Sequence, residues 1–213
     1  MKSFLLIFSV VIAFLHPAFA QQDGVIDDLG DIAFIAAVAD NSLSSQGFSF
    51  MALDEIPAGT QIIFTDEEWD GTIFGSGEGD VTWTNTTGMT LARGTVIDIQ
   101  APGDNPTASI GSVAETDSGF SFSQFEHVFA ITGSRAAPNF LAYMDVDGNV
   151  NNTLSGTGIV LGTYGISFTN NTNIYNGPTS CSTTQTDCLM QIYNTSNYSS
   201  ALSFPGDVPD LLT

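Results

Sequence analysis

Short apolar segments separated by turn residues at close spacing constrain the fold of this chain more than any other feature. In residues 47–53, for example, Phe48 and Phe50 alternate with small or polar residues. Alternation with a period of two is typical of a strand with one buried face. The breaks between segments are rich in Gly, Asn, Asp and Ser, which favour turns. The pattern therefore predicts an antiparallel all-β sandwich or barrel.

One segment departs from the strand pattern. Residues 183–193 are predicted to form a short helix, with Leu189, Met190 and Ile192 packed inward. The predicted strands are residues 32–39, 47–53, 60–65, 81–84, 95–100, 127–132, 140–144, 158–161 and 165–169.

Residues 1–20 are typical of a secretory signal peptide. Lys2 supplies the positive start, an apolar run follows at residues 4–15, and the Ala-Phe-Ala sequence that ends the segment matches a cleavage site. The apolar run is too short to span a bilayer. We therefore expect a secreted protein with no transmembrane segment after signal removal. A lead-in at residues 21–30 and a single domain at residues 31–213 would remain.

Negative charge and the scarcity of histidine exclude several function classes. The chain has 23 acidic residues against 3 Lys and Arg, for a net charge of −20, which argues against binding to nucleic acid. His16 is removed with the signal peptide, so His127 is the single histidine that remains. Zinc sites built from several histidines are therefore impossible. No G-x-S-x-G motif is present to support a Ser-His-Asp triad. We therefore expect a protein that is not an enzyme.

The densest acidic segment, residues 66–80, begins at the end of a predicted strand and continues into a glycine-rich loop. Calcium requires six to eight oxygen ligands, which carboxylates and backbone carbonyls on such a loop can supply. The predicted ligands are Asp66, Glu68, Glu78 and Asp80. Two alternatives remain open, namely a solvated acidic loop without an ion and a pair of acids, Glu68 and Glu78, for glycoside hydrolysis.

A second candidate calcium turn lies at residues 145–149. Asp145, Asp147 and Asn149 alternate around a glycine, as at the start of a calcium loop. The twelfth position counted from Asp145 is Gly156 rather than a glutamate, which excludes an EF-hand. A hairpin turn without an ion is the alternative. Calcium is thus the predicted cofactor, and divalent cations are the predicted partners.

The two tryptophans differ in their sequence context. Trp83 lies in an alternating strand and is predicted to fill the core, whereas Trp69 lies in the acidic segment and is predicted to be the better exposed ring. An exposed ring can stack on a sugar. A carbohydrate-binding module that uses Trp69 to bind glycans is therefore the alternative function.

Two features depend on export. Cys181 and Cys188 are separated by six residues and are predicted to form a disulfide in an oxidising compartment. Five Asn-x-Ser/Thr sequons are candidate glycosylation sites in a host that glycosylates secreted proteins. They are Asn85, Asn151, Asn170, Asn194 and Asn197.

The segment 30–69 contains GDIAF, IPAGT and FTDEEW, and in this order the motifs resemble a family of secreted bacterial surface modules. The likeness continues through residues 77–85, 94–99, 127–148 and 173–178. The same order of features is more distantly similar to lamin-tail-type domains. The resemblance implies an immunoglobulin-like β-sandwich, which here carries one short C-terminal helix. It also implies a place at a cell surface or in an extracellular matrix, other surface proteins as partners in adhesion, and no known catalytic residues.

Overall fold

The structure, a computed structural model, describes residues 23–123, 125–146, 153–168, 170–175 and 185–199. In this part the chain forms short strands joined by turns. The strands are β1 (Ile32–Val38), β2 (Gly47–Ala52), β3 (Gln61–Thr65), β4 (Asp80–Thr84), β5 (Val96–Gln100), β6 (Thr107–Ala108), β7 (Ser112–Asp117), β8 (His127–Ser134), β9 (Ala137–Val146), β10 (Gly165–Phe168), β11 (Thr172–Tyr175) and β12 (Tyr198–Ser199).

The strands form two six-stranded sheets. The first has the order β12-β11-β1-β2-β5-β6 and the second has the order β10-β9-β8-β3-β4-β7. Neighbouring strands are antiparallel except for β9 and β10, which are parallel, with Gly165 opposite Tyr143. The predicted all-β sandwich with one short helix is confirmed, and this parallel pair makes its second sheet mixed.

The core between the sheets is built from aromatic residues at alternating strand positions. Phe50 of β2 lies 5.2 Å from Phe64 of β3 and 5.4 Å from Trp83 of β4, measured between ring centroids. Phe34 of β1 lies 6.0 Å from Phe64. These contacts cross from one sheet to the other. Trp83 is fully buried, which confirms its predicted place in the core.

The second sheet is buried on its outer face as well. On β8, Val128 packs in the main core, whereas the next residue, Phe129, joins a separate apolar cluster. Successive strand residues point to opposite faces, so this second cluster lies on the outer side of the sheet. It contains Trp69, Phe74, Phe129, Ile131, Tyr143 and Ile159. Trp69 and Phe74 come from the loop after β3, and Ile159 comes from the segment before β10. These two segments therefore cover the outer face of the second sheet.

Helix α1 (Gln185–Ile192) confirms most of the predicted helix. Leu189 and Ile192 are buried, as predicted, and share one helical face with Cys188. Met190 is 64% exposed, so its predicted inward packing is wrong. One residue after Leu189, it is rotated by about 100° around the helix axis, away from the buried face. In the described residues no helix has the length and apolar character needed to cross a membrane.

The predicted strand at residues 158–161 does not form. Gly158 and Gly162 both have a positive φ, which turns the backbone, and only Leu161 makes an isolated bridge, to Gly165. Four short strands near sheet edges were not predicted, because their polar residues lack an apolar alternation. They are β6, β7, β11 and β12.

Candidate metal centre

The acidic loop, defined as residues 66–80, connects two neighbouring antiparallel strands. Thr65 at the end of β3 lies opposite Asp80 at the start of β4. The two ends of the loop therefore meet, and Asp66 Oδ1 accepts a hydrogen bond of 2.9 Å from the backbone N–H of Gly79. Asp66 Oδ2 accepts a second bond, of 2.6 Å, from the N–H of Ser121. Asp66 is thus buried and fixed by backbone donors rather than free in solvent.

The middle of the acidic loop folds back on itself. The N–H of Gly75 donates to the carbonyl of Glu68 at 2.9 Å, and Asp70 Oδ1 accepts from the N–H groups of Thr72 and Ile73. The indole N–H of Trp69 donates to the carbonyl of Ser155 at 2.8 Å. The bond from Trp69 ties the loop to the segment before β10, and both segments cover the outer face of the second sheet.

Trp69 is only 6% exposed, which corrects the prediction that its ring is open to solvent. Its ring centroid lies 5.0 Å from that of Phe74 and 5.1 Å from that of Phe140, both in edge-on geometry. Stacking on a sugar needs an accessible ring face. The buried ring therefore argues against the predicted sugar platform, and the residue serves to hold the acidic loop on the sheet.

Glu67 is completely buried and is the most heavily bonded acid of the loop. Its Oε1 accepts from the N–H of Glu78 at 2.8 Å and from Arg135 Nη1 at 2.9 Å, while Oε2 accepts from the N–H of Gly77 at 3.2 Å. The carbonyl of Glu67 lies 3.1 Å from Nε2 of His127. Since a carbonyl only accepts, this nitrogen carries the proton in that pair. Burial lowers the pKa of His127, which favours the neutral form of the ring.

Three carboxylates converge at the mouth of the loop. One oxygen each from Glu67, Glu68 and Glu78 lies within 4.8 Å of the others, an arrangement that can hold a metal ion. Glu68 is exposed and Glu78 is half-buried, and Glu78 Oε2 has no hydrogen-bond partner among the described residues. These three residues and the two acids that interact with them electrostatically form the carboxylate cluster. Its members are Asp66, Glu67, Glu68, Glu78 and Glu126.

Three members of the carboxylate cluster, Asp66, Glu78 and Glu126, hold a proton more tightly than isolated acids do. Burial, followed by the charges of Asp66 and Glu126, raises the pKa of Glu78 to about 8. Burial and the charge of Asp66 raise the pKa of Glu126 to about 7. Burial also raises the pKa of Asp66 to about 6, although the N–H groups of Ser121 and Gly79 act in the opposite direction. Like charges in a partly desolvated site produce such shifts, and a bound cation would relieve them.

Of the remaining predicted ligands, the two that the structure describes, Asp80 and Asp145, do not belong to this group. Asp80 Oδ2 lies 3.3 Å from Arg135 Nε, so a guanidinium already neutralises it. Asp145 on β9 is buried and accepts a hydrogen bond of 2.6 Å from Ser167 Oγ. Its pKa is raised by burial, against the hydrogen bonds from Ser167 and Tyr143. The other predicted ligands of the second turn, Asp147 and Asn149, lie outside the described residues.

Three members of the site were not predicted. Glu67 lies within the acidic segment but was not among its predicted ligands. Glu126 comes from the segment before β8, and only the pairing of β8 with β3 brings it to the acidic loop. No local sequence signal marks it. Arg135 had a signal, because it is one of two basic residues in a strongly acidic chain once the signal peptide is set aside. A buried acid in such a chain has few possible partners.

The sequons and cysteines have varied surroundings. Asn85 is only 1% exposed, and its Nδ2 donates to the carbonyls of Ile56, Pro57 and Met89. A glycan cannot be attached there in the folded protein, which corrects that candidate. Of the other sequons, Asn170 and Asn194 are exposed, Asn197 is half-buried and Asn151 lies outside the described residues. Cys188 is buried, but Cys181 also lies outside the described residues, so their disulfide stays a prediction.

Comparison of the chain with protein-family models, with curated proteins and with solved structures finds no match. The resemblance to secreted bacterial surface modules and lamin-tail-type domains therefore stays a prediction that rests on sequence motifs. The fold defines the class, an all-β sandwich of two six-stranded sheets.

Proposed function

We propose that this protein is a secreted, non-catalytic module of a cell surface or extracellular matrix that binds divalent cations, calcium above all, at the carboxylate cluster. A single observation carries the proposal. Carboxylate oxygens of Glu67, Glu68 and Glu78 lie within 4.8 Å of one another. Two oxygens that each lie about 2.4 Å from a shared calcium ion are separated by at most about 4.8 Å. The observed spacing therefore fits one ion between the three side chains.

The surroundings of the three carboxylates support the same conclusion. Calcium takes further ligands from backbone carbonyls and water, which suits a glycine-rich loop with an exposed acid such as Glu68. Glu78 Oε2, with no partner in the described structure, gains one by ligation. The neighbouring charges of Asp66 and Glu126 add attraction without being ligands. Magnesium demands tighter octahedral geometry, so calcium fits a loop site better.

The decisive experiment compares calcium with sodium at equal ionic strength. Calorimetric titration of chelator-treated protein is expected to show saturable calcium binding, and thermal unfolding should shift upward with calcium. At a free calcium concentration about 100 times Kd, the gain is about 2.7 kcal/mol. If chelated and calcium-loaded protein unfold at the same temperature and no binding heat is seen, the proposal is wrong.

Matched variants separate ligation from general charge effects. The double variant Glu68→Gln/Glu78→Gln removes two of the three converging carboxylates and should abolish calcium binding. Glu55→Gln removes a carboxylate at an exposed position outside the carboxylate cluster and should bind calcium like the parent protein. If the double variant and Glu55→Gln lost calcium binding to the same extent, calcium would only be screening the net charge of −20.

Export is a separate part of the proposal and rests on the signal-like sequence at residues 1–20. The protein recovered from the culture medium should begin at Gln21. Its intact mass should be lower by two hydrogens than the reduced mass, because Cys181 and Cys188 pair in an oxidising compartment. Protein that still carried residues 1–20 would contradict the export proposal without affecting the proposed cation site.

The hydrolase alternative depends on the same pair of acids. Glycoside hydrolysis requires two acids on opposite sides of a bound sugar. Glu68 and Glu78 instead project from one loop toward a common point. We therefore rank cation binding first. Any glycosidase activity found in the protein and lost in Glu78→Gln would favour the hydrolase.

A further inference from the structure

A cavity of about 310 Å³ lies at one edge of the sandwich, far along the chain from the acidic loop. It lies where β10, at the edge of the second sheet, meets β11 and β12 at the edge of the first. A short 3-10 turn (Thr195–Asn197) contributes to its wall. The volume is at the lower end of the range of small-molecule sites in proteins. The lining residues are Ser167, Phe168, Asn170, Asn173, Thr195, Ser196 and Tyr198.

The lining combines hydroxyl groups, amides and aromatic rings, and none of the lining residues is charged. The chain as a whole carries a net charge of −20. An anion would meet no cation in the lining and would be repelled by the protein as a whole. A divalent cation would find no carboxylate there. The lining therefore favours a neutral ligand with many hydroxyl groups.

The aromatic part of the wall is held rigidly. The ring of Tyr198 lies 4.9 Å from that of Phe168 and 5.4 Å from that of Tyr175, both edge-on. The Tyr198 hydroxyl donates to the carbonyl of Phe34 at 3.3 Å. Phe168 is buried and Tyr198 is half-buried, so part of the Tyr198 residue stays accessible. An aromatic ring in a fixed position can pack against the apolar face of a sugar at little entropic cost.

The polar part of the wall includes both fixed and available groups. Ser167 Oγ donates to Asp145, and Ser196 Oγ donates to Asn194 Oδ1 at 2.7 Å, which leaves each hydroxyl oxygen able to accept. The described structure gives no hydrogen bond to the side chains of Asn170 and Thr195. These two side chains can both donate to and accept from a ligand hydroxyl.

We propose that this cavity binds a neutral saccharide, one or two sugar rings in size. Amide and hydroxyl groups would pair with the sugar hydroxyls, and the Tyr198 ring would contact its apolar face. The site is distinct from Trp69, whose ring is buried, and from the carboxylate cluster. Saccharide binding can therefore be tested independently of calcium binding.

The test uses protein made in a host that does not attach N-glycans, because Asn170 and Asn194 are sequon residues at or beside the cavity. Saturation-transfer NMR and titration calorimetry would measure binding of maltose, cellobiose, chitobiose and lactose. Glucuronic acid and sialyllactose would serve as anionic counterparts. At least one neutral saccharide should bind, and the anionic ones should bind more weakly. Absence of binding by all four neutral saccharides, or preferred binding of the anionic ones, would overturn the proposal.

Two variants keep the test specific to the cavity. Asn170→Ala removes the side-chain amide, and Thr195→Val replaces the hydroxyl with a methyl group. Neither the amide nor the hydroxyl makes a described hydrogen bond, so both proteins should fold normally. Each should bind the selected saccharide about fivefold more weakly, as expected for one lost hydrogen bond. Asn139→Ala, at an exposed position of β9, is the matched control and should bind like the parent. Unchanged affinity in both cavity variants would place the sugar elsewhere and overturn the assignment.

Discussion

Arg135 Nη1 lies 2.9 Å from Oε1 of Glu67, a carboxylate with no exposed surface. The same guanidinium contacts Asp80 through Nε at 3.3 Å and Asp117 through Nη2. One cation thus serves three acids from three different parts of the chain. A guanidinium presents its donors in a planar fork, which a lysine ammonium cannot reproduce. Arg135 therefore fixes Glu67 at the base of the carboxylate cluster.

Replacing Arg135 should destabilise the protein strongly. Arg135→Gln leaves Glu67 buried without its cation, and the free energy of unfolding should fall by about 2–4 kcal/mol. This is somewhat less than for a fully buried pair, because the Arg135 side chain is 24% exposed. Denaturant unfolding gives the measurement. Adding Glu67→Gln to this variant should restore part of the loss, and an unchanged midpoint in Arg135→Gln would contradict the structural role.

Stability without calcium should fall as pH rises from about pH 4 to about pH 8 and should level off above that. Burial and the facing acids Asp66, Glu67, Glu68 and Glu126 raise the pKa of Glu78 to about 8. In the unfolded chain a glutamate has a pKa of about 4.3. Between these values the folded state holds a proton that the unfolded chain has lost. The stabilising effect is therefore complete below about pH 4.3, decreases progressively as pH rises, and is gone once pH passes about 8. Thermal unfolding in chelator at several pH values measures the slope.

A variant isolates the origin of this slope. Glu78→Gln carries no titrating group at the position and should flatten the decline between about pH 4 and about pH 8. Glu55→Gln is the control and should keep it. The lowered pKa of His127 gives an opposite slope at pH values below about 6.5, where an unfolded histidine titrates, and both variants retain this slope. Equal slopes in the Glu78 and Glu55 variants would assign the effect to another group.

Local sequence patterns predicted the strands well where apolar residues alternate. β2 and β5 begin and end within one residue of the predicted bounds. Successive side chains of a strand point to opposite faces, so a strand with one buried face has an apolar residue at every second position. That alternation can be read directly from the sequence. The sandwich followed from the number of such segments. The predicted helix followed from three apolar residues expected to pack inward, of which Leu189 and Ile192 do so and Met190 does not.

The candidate site was predicted only in part, because its completion depends on contacts distant in sequence. Glu68 and Glu78 belong to one acidic segment and were predicted together. Glu126 and Arg135 lie close to the acidic loop because β8 pairs with β3 and β9. No local sequence pattern encodes that strand pairing. Trp69 was expected to be exposed because its neighbours are charged. Its burial results from the loop docking on the outer face of a sheet, a tertiary contact.

Asn85 should be important for stability rather than glycosylation. Asn85→Asp keeps the shape of the side chain but removes the amide donors that the carbonyls of Ile56 and Met89 accept. It also buries a charge, and the free energy of unfolding should fall by about 2–4 kcal/mol. Asn139→Asp, at an exposed position, should change it by less than about 0.5 kcal/mol. Denaturant unfolding compares them, and equal midpoints would contradict the burial of Asn85.

Gly79 should tolerate no side chain, although a neighbouring glycine of the same loop does. A Cβ at Gly79 would lie 2.2 Å from the backbone nitrogen of Phe120 and 2.8 Å from the carbonyl oxygen of Asp117, and neither backbone atom can move away easily. Gly79→Ala should therefore lower the free energy of unfolding by about 3 kcal/mol or more. Because the Gly79 N–H binds Asp66, calcium affinity should fall as well.

The control for this prediction is Gly77→Ala. A Cβ at Gly77 meets nothing within 4 Å, so stability should stay within about 0.5 kcal/mol of the parent. The Gly77 N–H remains available to Glu67 Oε2 in that variant. Both variants add one methyl group to the same loop and differ only in the space around it. If they unfold at the same denaturant concentration, the close approach of the acidic loop to the segment before β8 is not as described, and the position of Asp66 in the carboxylate cluster is wrong with it.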